Sequence, residues 1–410
     1  MKIGYACVPF SFDARINRGF RLSNLSEERF FDAVYNNLED LGKILKWNIE
    51  HDIFMFRISS DIIPFGSHPN NDLKWQRKFK DKLLELGNYI KQNGIRVSMH
   101  PGQYTVINSP KNQVVKKSID DLSYHCQLLD SMGLDYQHKI VLHCGGVYGD
   151  KNKSLARLKA NLEKLPEQVL NRLVLENDDK SYDIADTLSA AKHLDIPVVF
   201  DILHHQCNHP KEGSEKYWLR KALKTWGEND GSPKIHYSNQ AEGKSRGSHS
   251  LTVDIESFMK FYRLYSSFDM DIMLEVKDKE LSALKCVNSL KPELSTKHRT
   301  TIWAFYKYSV MEKDYSLYKQ CSKLINSDEK ILQFYKVVDK ALFMETDYNS
   351  FRNAAEHIWG YFKKKATFQE KQKFFELLEQ KDIKKIKRNL WKLTKKYNDE
   401  YLKQSYFFCY

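Results

Sequence analysis

The sequence predicts a (β/α)8 TIM barrel followed by an α-helical C-terminal extension, and three observations carry that reading. Across residues 1–290, short apolar segments and helically periodic segments alternate eight times. Seven of the eight apolar segments run into a metal-ligand type of residue or a charged polar cluster. After Pro292 the alternation stops, and from Thr300 onward only helical periodicity remains. An open doubly wound sheet would show fewer units and a glycine-rich first turn, so the closed barrel is the expected α/β architecture.

The predicted strands, in order, are 3–7, then 53–58 running into Ser59, Ser60 and Asp61, and 95–99 into His100. They continue with 139–142 into His143, 172–175 into Glu176, 198–200 into Asp201, 234–235 into His236 and 271–274 into Glu275. Between them the helical period is read over 26–47, 73–92, 114–132, 154–165, 183–194, 215–226, 254–265 and 278–289. Parallel barrel strands all point their carboxyl ends at one face, so the residues closing them converge there. The expected division is a barrel domain over 1–290 and a basic, aromatic-rich helical extension over 291–410.

Composition narrows the function classes. A chain of 410 residues that is 41% hydrophobic can bury a sizeable core. No run of 18 apolar residues occurs, and residues 1–10 lack a basic region followed by a long apolar stretch, so neither a membrane span nor a secretion signal is expected. The seven cysteines are scattered without paired spacing, which fits reduced thiols and a cytoplasmic location. No GxGxxG or GxxxxGK[ST] motif is present, so no nucleotide cofactor is expected. The net charge of +12 is unevenly placed: residues 291–410 hold 25 Lys or Arg against 15 Asp or Glu. Such a surplus suits a polyanion, although a solvated helical surface explains many charge runs.

His100 opens His-Pro-Gly-Gln-Tyr, where Pro101 and Gly102 turn the chain sharply and keep the imidazole at the barrel mouth. A lone strand-end His is commonly structural, but His143 and Glu176 close the next two strands. Asp201 and His204 form an Asp-x-x-His unit, His236 ends the seventh strand, His249 lies in the Gly-rich loop beyond it, and Glu275 ends the eighth. Mixed imidazole and carboxylate donors suit Mn, Zn or Fe. Eight donors exceed what one ion takes, so two or three ions bridged by carboxylates, Glu176 above all, are expected. The alternative for Glu176 and Glu275 is pairing with a basic residue, yet carboxylates facing a common axis repel unless cations lie between them. Cys144 and Cys207 read as small packing thiols, and His205 and His209 as lying off the axis. His68, in Ser-His-Pro, is a candidate ligand or phosphate contact. Lys234 precedes His236 by two positions and so faces the same way, which requires it to be neutral, carbamylated or turned aside.

These motifs resemble the UV damage endonuclease family, with His-Pro-Gly-Gln-Tyr at 100–104, Leu-Glu-Asn-Asp at 175–178 and Asp-x-x-His-His at 201–205, over a match from Gly4-Tyr5 to Glu275. The resemblance implies a fold and a three-metal centre like those of endonuclease IV, and incision 5′ to UV photoproducts (cyclobutane pyrimidine dimers and 6-4 photoproducts), leaving a 3′-hydroxyl. It implies His100, His143, Glu176, Asp201, His204, His236, His249 and Glu275 as ligands, with His68 and Lys234 as accessories. Glu176, His236, Glu275 and Lys234 would carry the chemistry. Gln103 and Tyr104 match a pair that wedges into the duplex beside the lesion, and Tyr5 a tyrosine at the damaged-base pocket. Where the family often has Asn shortly after that tyrosine, this chain has Val8-Pro9, so the polar contact is missing or supplied by Asn17 or another residue. Residues 291–410 lie outside the resemblance.

The expected cofactor is a divalent metal, Mn first, with Zn or Mg as alternatives, lowering the pKa of water and stabilising the phosphoryl transition state. The expected partner is double-stranded DNA carrying UV lesions, met by a monomer at the nucleoid of a bacterial-type cytoplasm. Lys244, Arg246 and Lys277 are expected to hold phosphates near the mouth, and the Lys-rich faces of 381–388 and 392–396 to lie along the duplex. Two rival readings are a metal-dependent sugar isomerase or epimerase, which leaves the Gln-Tyr pair and basic extension without a role, and a non-catalytic damaged-DNA-binding protein, which has no reason to keep every carboxylate.

Overall fold

The computed structural model describes residues 1–327 and 329–409. The chain forms two compact units. The first comprises Met1–Pro9, Ala14–Val253 and Tyr265–Lys279, and the second Phe10–Asp13, Asp254–Leu264 and Glu280–Tyr410. The segments 254–264 and 280–290, expected with the barrel, thus group with the C-terminal helices.

In the first unit eight parallel strands close into a barrel in sequence order. They are β1 (Ile3–Ala6), β2 (Met55–Ile58), β3 (Arg96–Met99), β4 (Ile140–His143), β5 (Leu173–Glu176), β6 (Val198–Asp201), β7 (Lys234–Tyr237) and β8 (Asp271–Leu274). Side chains along a strand alternate between the barrel interior and the helices outside. Ala6, Met55 and Met273 pack together, as do Val141, Val174 and Val199. Two positions further along those strands stand Arg57, Glu275, His143, Glu176 and Asp201, so the same inward rows that fill the barrel end in polar groups at its carboxyl face. Gly4 lets β1 lie against β2: a Cβ there would meet the Met55 carbonyl oxygen at 2.0 Å.

The amino ends of the strands are closed by satisfied basic residues. Arg96 Nη1 lies 2.9 Å from Asp271 Oδ2, Arg172 Nη2 donates to Asp130 Oδ1 at 2.5 Å, and Lys139 pairs with Asp230. Arg172 ends the helix Glu167–Arg172 instead of opening a strand, and the helical stretch expected over 73–92 breaks at Phe79 into Trp75–Lys78 and Lys80–Gln92. Helix starts follow capping chemistry: Ser26 accepts from Arg29 N to begin Glu27–Glu50, and Asp183 forms a capping box on Ile184–Ala191.

The second unit has its own core, in which Phe351, Ile358, Trp359, Phe374, Leu390 and Phe407 are buried together. Several of its buried charges are partnered. Lys285 Nζ lies 2.6 Å from Asp339, whose other oxygen accepts from Ile255 N, and Glu280 Oε1 accepts from Phe10 N and Ser11 N. The basic helix Ile383–Lys396 buries Ile386, Leu390 and Leu393 on one face. Lys387, which the sequence groups with the solvated lysines of this helix, belongs elsewhere. It pairs at 2.9 Å with the buried Glu312 and lies over the Phe407 ring, because its position in the helical period points it inward.

Candidate metal centre

Glu176 ends β5 inside the barrel and is almost wholly buried. Its Oε1 lies 2.7 Å from His236 Nδ1 and 3.8 Å from His204 Nδ1, and its Oε2 lies 3.1 Å from His100 Nε2 and 3.6 Å from His143 Nε2. Glu275, just past β8, receives Arg57 Nη1 at 2.5 Å and His236 Nδ1 at 3.0 Å, with His249 Nδ1 at 3.8 Å. Three donor groups result, His100 with His143, Asp201 with His204, and His236 with Glu275, and Glu176 is a member of all three. His249 stands outside these groups, reaching the cluster through Glu275.

Local structure holds the donors in place. Asp201 is both strand end and N-cap: its Oδ1 accepts from His204 N at 2.7 Å, and that first helical turn sets the His204 ring beside it. His204 Nδ1 donates to the Asn177 carbonyl at 2.9 Å, which fixes its tautomer, and Asn177 Oδ1 accepts from Asp201 N. Ser60 Oγ donates to the His100 carbonyl at 2.8 Å and lies 2.9 Å from His125 Nε2.

The electrostatics is that of buried carboxylates and imidazoles packed closely together. Burial works against the Glu176 carboxylate, yet His236 and His143 hold it well below the usual range; Glu275 is likewise held low, against burial, by Arg57 and His236. Burial pushes Asp201 up, and repulsion from Glu176 and Glu275 adds to it. Burial would lower His204, but Asp201, Glu176 and Glu275 raise it to about 9, whereas burial and Arg57 bring His100 down to about 4. Asp201 Oδ2, His143 Nδ1 and His236 Nε2 are buried with no hydrogen-bond partner among the described residues. Unsatisfied buried polar atoms of this kind cost free energy unless something binds them, so the residues present fit a group of divalent cations.

Lys234 lies fully buried below His236, and its Nζ also has no hydrogen-bond partner among the described residues. Burial, with Arg96 and Arg57, drives its ammonium far below the usual lysine range, which favours the neutral amine.

Other expected residues fall in several places. Gln103 and Tyr104 project from the turn after His100, Tyr104 with 84% of its surface exposed. His68, half-buried, lines a cavity of about 800 Å³ together with His100 and Tyr104, but belongs to none of the donor groups. Lys244, Arg246 and Lys277 are exposed, the first two on the loop pinned by a bridge between Gln240 and His249. Asn17 is exposed. His205 packs against Phe200 and His209, and the Cys144 thiol is buried beside Thr187 and pushed up to about 12 by burial, a packing role.

Tyr5 is a correction. It is 0% exposed and its hydroxyl donates to Asn48 Oδ1 at 3.0 Å, with Phe56 against its edge. Since Ala6 takes the inward position on β1, Tyr5 faces the helix Glu27–Glu50 and does not reach the barrel mouth. Sequence reasoning misses Arg57 and Asn177. The only signal for Arg57 is a charge inside the apolar strand Met-Phe-Arg-Ile, and for Asn177 its place directly after Glu176.

The fold and donor set define a β/α barrel with candidate metal-binding groups at its carboxyl face, and comparison with known proteins specifies its family. Residues 2–303 match the profile of the UV-endonuclease UvdE family, and the chain belongs to that family. Residues 307–410 match a second profile, described as a protein of unknown function (DUF1722). A UV DNA damage endonuclease of Clostridium perfringens is 44% identical over 401 residues, 97% of this chain and 96% of that protein. One of Bacillus cereus is 34% identical over 266 residues, 64% of this chain and 84% of that protein. The crystal structure of SacUVDE superposes with a TM-score of 0.67 at 43% identity, covering 71% of this chain and 98% of the other. The C-terminal region, outside the resemblance seen in the sequence, is thus shared with the Clostridium protein.

Proposed function

We propose that the chain is an endonuclease that incises double-stranded DNA 5′ to UV photoproducts, cyclobutane pyrimidine dimers and 6-4 photoproducts, and leaves a 3′-hydroxyl. The observation that carries this reading is the membership of one buried carboxylate, Glu176, in three donor groups. A carboxylate shared by neighbouring donor groups would help hold cations close together, and these would stabilise both the entering and the leaving oxygen at a phosphodiester. The names of the family and of the relatives support the substrate class.

In this reading His100, His143, Glu176, Asp201, His204, His236, His249 and Glu275 would hold two or three divalent ions, Mn first, with Zn or Mg as alternatives. When bound, the ions supply activated water and charge to offset the developing phosphorane. The chain supplies the rest. Arg57 orients Glu275, and Asn177 orients Asp201 and His204. His68 and the neutral Lys234 are accessories at the edge and floor of the centre. Tyr104 and Gln103 fill the gap left as damaged bases leave the stack, a step made easier where the lesion has already weakened stacking. Lys244, Arg246 and Lys277 contact phosphates. The enzyme works as a monomer on nucleoid DNA in the cytoplasm, with residues 1–290 catalytic and 291–410 a basic extension.

The test is nicking of supercoiled plasmid, UV-irradiated or not, by protein loaded with Mn. Incision restricted to irradiated plasmid is expected, and Glu176→Gln should abolish it while lowering bound Mn and keeping the circular dichroism spectrum. Equal nicking of both plasmids, or undiminished nicking by Glu176→Gln, would remove the reading.

A further inference from the structure

The second unit carries a patch of aromatic rings at the edge of its core, several of them left partly exposed. Trp303 lies on the helix Thr296–Met311, and Tyr315 and Tyr318 on the helix Tyr315–Ile325. Trp303 and Tyr318 have centroids 5.3 Å apart, and Tyr318 stacks on Tyr315 at 5.3 Å and 8°. The Tyr308 hydroxyl donates to that of Tyr361 at 2.9 Å, and Tyr361 stacks on Tyr401 at 5.8 Å and 10°. Tyr318 lies within electrostatic reach of Tyr361 and of Tyr401, which places the two groups near each other. Tyr308 is buried, but Tyr315 is 45% exposed and Tyr361 and Tyr401 are each 37% exposed. Apolar rings left this open in a unit with a well-filled core call for an explanation.

Two lysines lie on these rings. Lys319 Nζ is 4.9 Å from the Tyr315 centroid and Lys307 Nζ is 5.1 Å from that of Tyr308. Neither has a carboxylate within ion-pair reach among the described residues, and burial lowers the Lys307 ammonium. A half-buried cation resting on ring faces gains from an added anion more than a solvated lysine does.

We propose that this patch binds an unpaired DNA strand, its bases stacking on Tyr315, Tyr361 and Tyr401 and its phosphates reaching Lys307 and Lys319. Flat, exposed rings beside unpaired lysines match a ligand that alternates π-faces with negative charge. A duplex hides its base faces and would leave the rings unused. The choice of DNA over RNA rests on the endonuclease reading above; the stacking of bases on the rings does not.

The experiment uses the full chain in EDTA, so that no cleavage occurs, and fluorescence anisotropy with a short labelled oligothymidine, the matching fully paired duplex and oligouridine. Oligothymidine binding that depends on the patch, and duplex binding that does not, are expected. Tyr315→Ala and Tyr401→Ala should each weaken it about tenfold or more, while Tyr315→Phe, which keeps the ring, retains it. Lys307→Gln should flatten the slope of log affinity against log salt by about 0.7. Matching thermal melts of the variants will separate a binding defect from a folding defect. Unchanged oligothymidine binding in the alanine variants, or an equal loss of duplex binding, overturns the proposal, and preference for oligouridine overturns its assignment to DNA. Failure of the plasmid assay would leave these binding results standing, so the two readings fail separately.

Discussion

Arg57 Nη1 lies 2.5 Å from Glu275 Oε1 at the floor of the donor cluster, joining the second strand to the end of the eighth, and the Arg57 Nε has no partner among the described residues. One guanidinium therefore offsets part of the charge of two buried carboxylates, Glu275 and Glu176, and fixes the orientation of the first. Truncating one partner of a buried ion pair strands the other charge, at a cost of about 3 to 5 kcal/mol. Arg57→Ala should show that loss in EDTA and a smaller one at saturating Mn, where cations take over the compensation. Thermal melts of parent and variant under both conditions check this, and an equal loss in both would mean that Arg57 acts apart from the centre.

The exposed pair at the turn after His100 should behave unlike the donors. Gln103→Ala with Tyr104→Ala should leave bound Mn unchanged and narrow the affinity gap between UV-damaged and intact duplex. Removing one stacking ring costs about 1 to 3 kcal/mol. Gel-shift titrations with both duplexes in EDTA, beside metal analysis, measure it; an unchanged gap would take these residues out of lesion recognition.

Glu280 should contribute stability that is lost as pH rises. The Glu280 carboxyl is pushed up by burial from its ordinary 4.5 to about 7, despite the backbone hydrogen bonds from Ser11 and Phe10. Between those values the folded state keeps a proton that the unfolded state has released, so stability is greatest below pH 4.5 for this group and is lost as pH rises toward 7. Asp339, pushed up by burial to about 6 even beside Lys285, adds to the same trend. Glu280→Gln cannot ionise. Its melting temperature relative to the parent should therefore rise between about pH 5 and about pH 8, and a constant difference would show that Glu280 does not titrate in this window.

On the helix Ile383–Lys396, Lys384, Arg388, Lys392 and Lys395 recur every three or four residues, are exposed, and have no acidic partner among the described residues, whereas Lys385 and Lys396 pair with Asp382 and Glu370. Reversing those four to Glu should weaken binding to damaged and intact duplex alike and flatten the salt slope by about 0.9 for each phosphate no longer neutralised. The rate of incision at saturating DNA should stay the same. Binding isotherms across a salt series decide, and an unaltered slope would leave the stripe as a solubility feature.

The fold class was legible because it is written in periods: eight alternations of apolar run and helical stretch, then helices alone. Most of the donor set was legible for a related reason. A residue at the carboxyl end of a parallel barrel strand has only one face to occupy, so His100, His143, Glu176, Asp201, His236 and Glu275 could be placed together without coordinates. Partners distant in sequence were not. Arg57 meets Glu275 across 218 positions, and nothing local to either predicts it. Tyr5 shows the same limit from the other side. Its motif placed it at the lesion pocket, but a single-residue alternation on β1 turned it to Asn48 and into the core. Lys387, one of a run of lysines in the sequence, is drawn inward to Glu312 by its helical phase. Residue type and spacing decide which face of an element a side chain can occupy; which charge or ring it finds there is decided only when the strands close and the helices pack.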